Sequence, residues 1–334
     1  MRTLLTGLAL LSTVTLGAMT LALGAALATP VPAAIHTEDV FDFAEMEPID
    51  VDALPAMQQY IGRDGTPMPI RIYPSPSDRL VIFVHGSSYH GAAYHRLAEQ
   101  LSTSGAATVV VPNLRGHHLA GRSRGDLAYV GQLEDDLADL IADLRSRGMT
   151  GEVVLAGHSS GGGLAIRFAG GPHGHLADRV AVLAPMIPSS PAIRDGDAGG
   201  WARVNHPRYL ALTALNLLGF DGLNALPVIA FSKPTSLWDG TETLVYSYRL
   251  NESYHPRYDY GSDLAALPAG SLVMVGANDQ AIEPTELERI VLEHATHPDV
   301  RILSGVDHFG IFADATVFGT VERWLGEPVQ ASRQ

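Results

Sequence analysis

The chain has 334 residues, enough to bury a full core, and its 46% hydrophobic and 17% charged content is that of a folded globule on the apolar side. The formal net charge of −14, with no block of Lys or Arg anywhere, makes nucleic acid a poor partner. Cysteine is absent, which excludes a disulfide framework, a thiol nucleophile, a Cys-based metal site and a lipobox anchor.

The N-terminus reads as an address rather than as part of the fold. Met1-Arg2 supplies a short positive start, residues 4–28 carry no charge, and Ala26-Leu27-Ala28 forms an A-x-A cleavage pattern before Thr29-Pro30. We expect residues 1–28 to be a secretory signal peptide. The rival is an uncleaved anchor, because an uncharged run of about 25 residues is long enough to span a bilayer. Its Ala, Gly and Thr content is weakly hydrophobic for a permanent span, which favours cleavage. Either way the remainder is expected outside the cytoplasm, periplasmic or secreted. Residues 29–60 read as a linker and lead-in, with Pro30, Pro32 and Pro48 and acidic residues at Glu38, Asp39, Glu45 and Glu47.

From about Ile70 apolar strands alternate with helices. Ile70 to Tyr73 and Leu80 to Val84 read as strands, Tyr94 to Leu101 as an amphipathic helix, and Thr108 to Val111 as a buried strand ended by Pro112. Leu133, Leu137, Leu140, Ile141 and Leu144 stand at helical spacing. The apolar run Val153 to Ala156 leads into Gly157-His158-Ser159-Ser160-Gly161, then into a helix-like segment, and Val180 to Leu183 is a further strand. Strands that are apolar throughout and separated by helices imply a mostly parallel sheet covered on both faces. Over residues 186–256 the alternation stops in a stretch rich in Pro, Gly, Asn and aromatics, with one helix-like piece from Tyr209 to Leu218; this reads as an insertion capping the sheet. Most of its leucines are expected to form the cap's own small core. Alternation resumes with the strand Leu272 to Val275, a helix near Thr285 to Ala295, the strand Val300 to Leu303 and a last helix near Ala315 to Trp324. The core is thus expected at residues 61–185 and 257–325, and residues 326–334 form a polar tail.

Gly-x-Ser-x-Gly between a strand and a helix is the context of a nucleophile elbow. The turn is tight, so Gly157 and Gly161 are needed where a Cβ would meet backbone. Ser159 is the candidate nucleophile, since taking Ser160 would put His158 where the first glycine belongs. A serine hydroxyl needs a base, and functional groups in doubly wound sheets sit beyond the carboxyl ends of strands. Asp279 follows the strand ending at Val275, and His308 follows the one ending at Leu303, giving the order Ser159…Asp279…His308. His308 is the candidate base and acid; Asp279 would hold its tautomer. Asp307 adjoins His308, but adjacent residues on a turn point apart. For the oxyanion, the backbone amides of Ser87, after Val84-His85-Gly86, and of Ser160 are the candidate donors. His85, Ser88, His158, Trp201, Trp238 and Tyr246 are candidates for the substrate pocket. No metal site is expected: His85, His90 and His95 recur at five-residue spacing, which does not align side chains on a helix, and no His-Glu-x-x-His is present.

His85-Gly86, Pro112-Asn113-Leu114-Arg115-Gly116-His117, Gly157-His158-Ser159-Ser160-Gly161-Gly162, Gly276-x-x-Asp279 and Gly305-x-x-His308 together resemble the block series of the α/β-hydrolases. Within them the chain is most similar to the serine aminopeptidase, monoacylglycerol lipase and lysophospholipase-like group. It departs from that pattern at Asn113, where the family usually has Asp, and at His118, where it has Gly. The resemblance implies the α/β-hydrolase fold with an inserted cap, and ester hydrolysis through an acyl-serine intermediate without a cofactor. The expected partner is a small-molecule ester with an acyl chain, met in solution or at a membrane surface. The competing expectations are an aminopeptidase using the same triad and a non-catalytic binding protein on the same scaffold.

Overall fold

This computed structural model describes residues 17–31, 41–43 and 50–328. The positive start of the chain, the acidic part of the lead-in and the last six tail residues therefore lie outside the described residues. Residues 17–28 are helical (α1); among the described residues no helix is long and apolar enough to cross a membrane.

The chain then forms β1 (Gln58–Ile61), β2 (Pro67–Tyr73), β3 (Leu80–Val84), α2 (His95–Thr103) and β4 (Thr108–Pro112). After a long loop come α3 (Gln132–Ser146), β5 (Val153–His158), α4 (Ser160–Ala169) and β6 (Arg179–Leu183). The next stretch carries α5 (Asp195–Gly199), β7 (Ala202–Val204), α6 (His206–Leu217), β8 (Pro227–Phe231), β9 (Val245–Ser247), α7 (Tyr248–Ser253) and α8 (Tyr260–Ala265). Last are β10 (Leu272–Gly276), α9 (Pro284–His294), β11 (Asp299–Leu303) and α10 (Ala315–Gly326).

Eight strands make one sheet in the order β1-β2-β4-β3-β5-β6-β10-β11. Only β2 runs against its neighbours; the six strands from β4 to β11 are mutually parallel. Every residue of β3, β5 and β6 is buried, as strands covered on both faces require. The chain order reverses direction around β3 and β5, so the carboxyl end of β5 opens at a switch point, where such sheets form clefts. The spaced leucines of α3 are all buried against it. A buried ion cluster fixes α3 to α4: Glu134 of α3 accepts from Arg167 of α4 at 2.6 Å and from Arg257 at 2.8 Å, and Arg257 also reaches Asp263 at 2.5 Å. Breaking one member would leave an unpaired buried charge, a change that costs about 3–5 kcal/mol.

Three features differ from the sequence reading. The stretch read as linker up to residue 60 already contains β1 from Gln58 and, at Phe41, a side chain only 4% exposed. The inserted stretch holds a second, three-stranded antiparallel sheet, β7-β8-β9, as well as the expected helix. These strands are three to five residues long and one pair contains a register shift, so no alternation persists long enough to be read. Nor do the insert's apolar residues all turn inward: Leu212, Val228 and Phe231 are buried, whereas Leu210 within α6, and Leu217, Leu218 and Phe220 at its end and beyond it, are exposed.

Candidate active site

Ser159 sits between β5 and α4 with φ 54° and ψ −124°. A non-glycine residue there stores about 1–3 kcal/mol of strain and must be held by its surroundings. The holding bonds are backbone: Ser159 N donates to the Leu183 carbonyl at 2.9 Å, while its own carbonyl accepts from Gly163 and Met186 at 3.0 Å each. The elbow glycines are needed because the backbone passes so close. A Cβ on Gly157 would lie 2.4 Å from the Gly161 carbonyl oxygen, and one on Gly161 would lie 2.3 Å from that of Val84.

The loops after β10 and β11 bring two more side chains to the serine. His308 Nε2 lies 3.1 Å from Ser159 Oγ, and His308 Nδ1 lies 2.8 Å from Asp279 Oδ2. A carboxylate accepts only, so Nδ1 carries the ring proton and Nε2 is left with a lone pair facing the hydroxyl. The other carboxylate oxygen of Asp279 accepts from the amides of Ala281 and Ile282, both at 2.8 Å, which fixes the carboxylate plane. Asp279 does not cap α9, whose N-cap is Glu283. Asp307 points elsewhere, accepting from Gly310 N at 2.6 Å and from Gln280 Nε2 at 3.3 Å. The three groups are buried, with His308 and Asp279 each 2% exposed and Ser159 5% exposed.

Ser87 and Ser160 flank the hydroxyl. Ser160 is the first residue of α4, so its amide lacks an intrahelical acceptor and lies at the positive end of the helix. Ser87 lines the small cavity at Ser159, and its Oγ accepts from Trp201 Nε1 at 3.1 Å. The loop is set by Gly86, whose amide donates to the Tyr94 hydroxyl at 2.9 Å.

The pocket candidates separate. His158 and Trp201 line the cavity at Ser159, which holds only about 10 Å3. His85 and Tyr246 do not line it and are structural hubs instead. His85 Nε2 accepts from Leu114 N at 3.0 Å, tying the loop after β3 to the loop after β4, and burial lowers its pKa well below the ordinary range. The Tyr246 hydroxyl accepts from Ser88 N at 2.8 Å and meets His117 Nε2 at 2.7 Å. Ser88 is thereby drawn away with φ 63°. Trp238 lines a second, larger cavity of about 660 Å3, from which the first is partitioned by Tyr89, a wall of both. Sequence reasoning missed Tyr94 and Gln280. The Tyr94 hydroxyl bonds His158 Nδ1 at 2.9 Å, and Gln280 Oε1 accepts from His308 N at 3.2 Å. No motif marks either residue; their partners are distant in the chain.

A profile of the alpha/beta hydrolase family matches residues 81–319. The chain is 33% identical over 109 residues to "Lipase LipV" of Mycobacterium tuberculosis, covering 33% of this chain and 37% of that protein. It is 25% identical over 118 residues to "Monoacylglycerol lipase" of Mycolicibacterium smegmatis, covering 35% and 39%. The matches thus span less than two fifths of the curated relatives' length. Among solved structures, a soluble variant of monoglyceride lipase from Saccharomyces cerevisiae superposes with a TM-score of 0.60 at 17% identity, over 83% of this chain and 96% of that one; this is a likeness of fold.

Proposed function

The chain belongs to the alpha/beta hydrolase family, and on that footing we propose that it hydrolyses carboxylic esters through an acyl-serine intermediate. The observation that carries this reading is the unbroken line from Asp279 Oδ2 to His308 Nδ1 at 2.8 Å and from His308 Nε2 to Ser159 Oγ at 3.1 Å. In it, Ser159 Oγ attacks the ester carbonyl carbon while His308 Nε2 takes the hydroxyl proton. The carbonyl oxygen becomes an oxyanion facing the amides of Ser87 and Ser160; each such donor is worth about 100- to 1,000-fold in rate. The intermediate collapses as the alcohol's C–O bond breaks, and His308 returns the proton to the departing oxygen. Water then repeats the sequence on the acyl-enzyme: His308 takes its proton, the hydroxide attacks, and the acid leaves as Ser159 regains its hydrogen. Asp279 keeps the imidazole oriented and stabilises its cation.

Lipase and monoacylglycerol lipase relatives support a lipid ester as substrate. The exposed Leu217, Leu218 and Phe220 at the tip of α6 support work at a lipid surface. The aminopeptidase reading finds less support. Glu252 accepts from the Tyr209 hydroxyl at 2.9 Å and Asp259 from Ser262 at 2.7 Å, and neither lines the cavity at Ser159, where a carboxylate for the substrate's ammonium group would be needed. Export remains part of the proposal and is tested by mass spectrometry of the mature N-terminus. The activity is tested with p-nitrophenyl esters from acetyl to palmitoyl, and with an alkyl fluorophosphonate that captures an activated serine. The wild type should hydrolyse and be labelled, and Ser159→Ala should do neither. A wild type inert to both overturns the reading in favour of a binding protein.

A further inference from the structure

Phe41 lies against the imidazole of His308. The two ring centroids are 5.0 Å apart with an interplanar angle of 22°. The same ring meets Trp201 at 5.3 Å and Phe309 at 5.0 Å, both edge-on. Phe43 continues along this wall, 5.2 Å from Phe309 and 6.3 Å from Trp201. What remains beside Ser159 is about 10 Å3, room for about one water and for no ester. That small cavity is walled by Tyr89, Tyr94, His158, Trp201, His308 and Phe309, all buried, and Phe41 packs on the last three without itself lining it. The side chains under Phe41 are apolar or aromatic, and they border both the base and, through the Trp201 bond to Ser87, the oxyanion loop.

We propose that the slot filled by Phe41 is the acyl-chain site, and that Phe41 occupies it in the resting enzyme as an internal stand-in for the substrate. The inference rests on the ester-hydrolase reading and adds to it where the chain lies and what it must displace. A carbonyl within reach of Ser159 Oγ, with its chain, needs more than the roughly 10 Å3 now open there, and the ring of Phe41, packed on three walls of that cavity, fills the adjoining apolar space. The acyl chain replaces the buried ring with a similar apolar surface on Trp201, Phe309 and the face of His308, so the exchange costs little for a long chain and more for a short one. Because only the fraction of molecules with Phe41 withdrawn binds substrate, apparent affinity is reduced by that fraction.

The test measures phosphonylation of Ser159 in the full chain by intact-mass spectrometry, using an ethyl and a decyl fluorophosphonate on the wild type and on Phe41→Ala. With the slot vacated, both probes should label roughly tenfold faster, and the decyl probe should keep its lead over the ethyl one. Equal or slower labelling of a folded Phe41→Ala overturns the inference, as does the absence of any advantage for the decyl chain. Should Phe41→Ala not fold, Phe43→Ala, at a half-buried position, serves instead: an acceleration of about threefold supports the inference and an unchanged rate overturns it. Failure of wild type and variants alike to be labelled is a different result, which removes the ester-hydrolase reading and this inference with it.

Discussion

The Nε2 atom of His158 lies 2.9 Å from the carbonyl oxygen of His308, a bond between the residue before the elbow serine and the loop that carries the base. A carbonyl accepts only, so the proton of His158 is on Nε2, and its Nδ1 accepts from the Tyr94 hydroxyl at 2.9 Å. That hydroxyl oxygen in turn accepts from Gly86 N at 2.9 Å. Burial, with the neighbouring His308 adding to it, holds the His158 pKa well below the ordinary range, so the ring stays neutral and the tautomer is fixed. One buried chain of three hydrogen bonds thus sets the oxyanion loop and the base loop relative to each other.

Removing the link in that chain is informative. Tyr94→Phe leaves the Gly86 amide and His158 Nδ1 without partners, which should cost about 1–3 kcal/mol of stability. It should also lower kcat about tenfold with little change in KM, because the ring that walls the cavity at Ser159 is kept while donor and base positions loosen. Urea unfolding and ester kinetics measure the two effects; a wild-type kcat in the variant would refute the positioning role.

Asp279→Asn should abolish most activity without unfolding the protein. The amides of Ala281 and Ile282 hold one side-chain oxygen by two bonds of 2.8 Å, so the new amide turns its oxygen to them and its NH2 towards His308. Nδ1 must then accept, the ring proton moves to Nε2, and the imidazole no longer takes the proton of Ser159. A loss in kcat on the order of 10,000-fold is expected. Stopped assays at high enzyme concentration resolve that range, and a loss below tenfold would contradict it.

Gly161→Ala tests the elbow. Its Cβ would be 2.3 Å from the Val84 carbonyl oxygen and 2.4 Å from that of His85, both backbone atoms that cannot step aside cheaply. A destabilisation of about 3 kcal/mol or more is expected. Activity should fall by about 100-fold or more as Ser159 shifts relative to His308. Thermal unfolding and labelling by a fluorophosphonate measure both.

Acid should destabilise the fold in a defined window. Burial lowers the pKa of His117 and of His255 to about 4 and that of His90 to about 3, and holds those of His85 and His158 well below the ordinary range. Each has a folded-state pKa below the unfolded value of about 6.5, so the unfolded chain binds more protons between the two. Stability is full above pH 6.5 and is lost as pH falls towards 4, by roughly 1.4 kcal/mol per pH unit for each such histidine. Denaturant unfolding between pH 7.5 and 5 should show this slope, and His117→Gln should reduce it by about one proton. A flat profile would mean that these rings are not held neutral.

Much of the fold and the elements of the candidate site are written locally. Continuous apolar runs bounded by turn residues, such as Leu80 to Val84 and Val153 to Ala156, make strands buried on both faces wherever they sit. The elbow needs glycine at 157 and 161 because of backbone contacts the motif itself creates. The positions of Asp279 and His308 after the last two strands follow from chain order along a parallel sheet. Other features depend on which surfaces meet after the chain has closed on itself, and no short window of residues carries that. The short strands β7 to β9 exist through pairing with each other rather than through a periodic pattern. Tyr94 becomes the partner of His158, and Tyr246 that of Ser88, only when loops from different strands converge. Phe41, in a stretch whose composition reads as linker, reaches the face of His308 from the far end of the chain. Sequence encodes the conformation of each segment through its own backbone and side chains; the neighbours of a buried ring are chosen by packing the whole molecule to density, a property of the assembled fold.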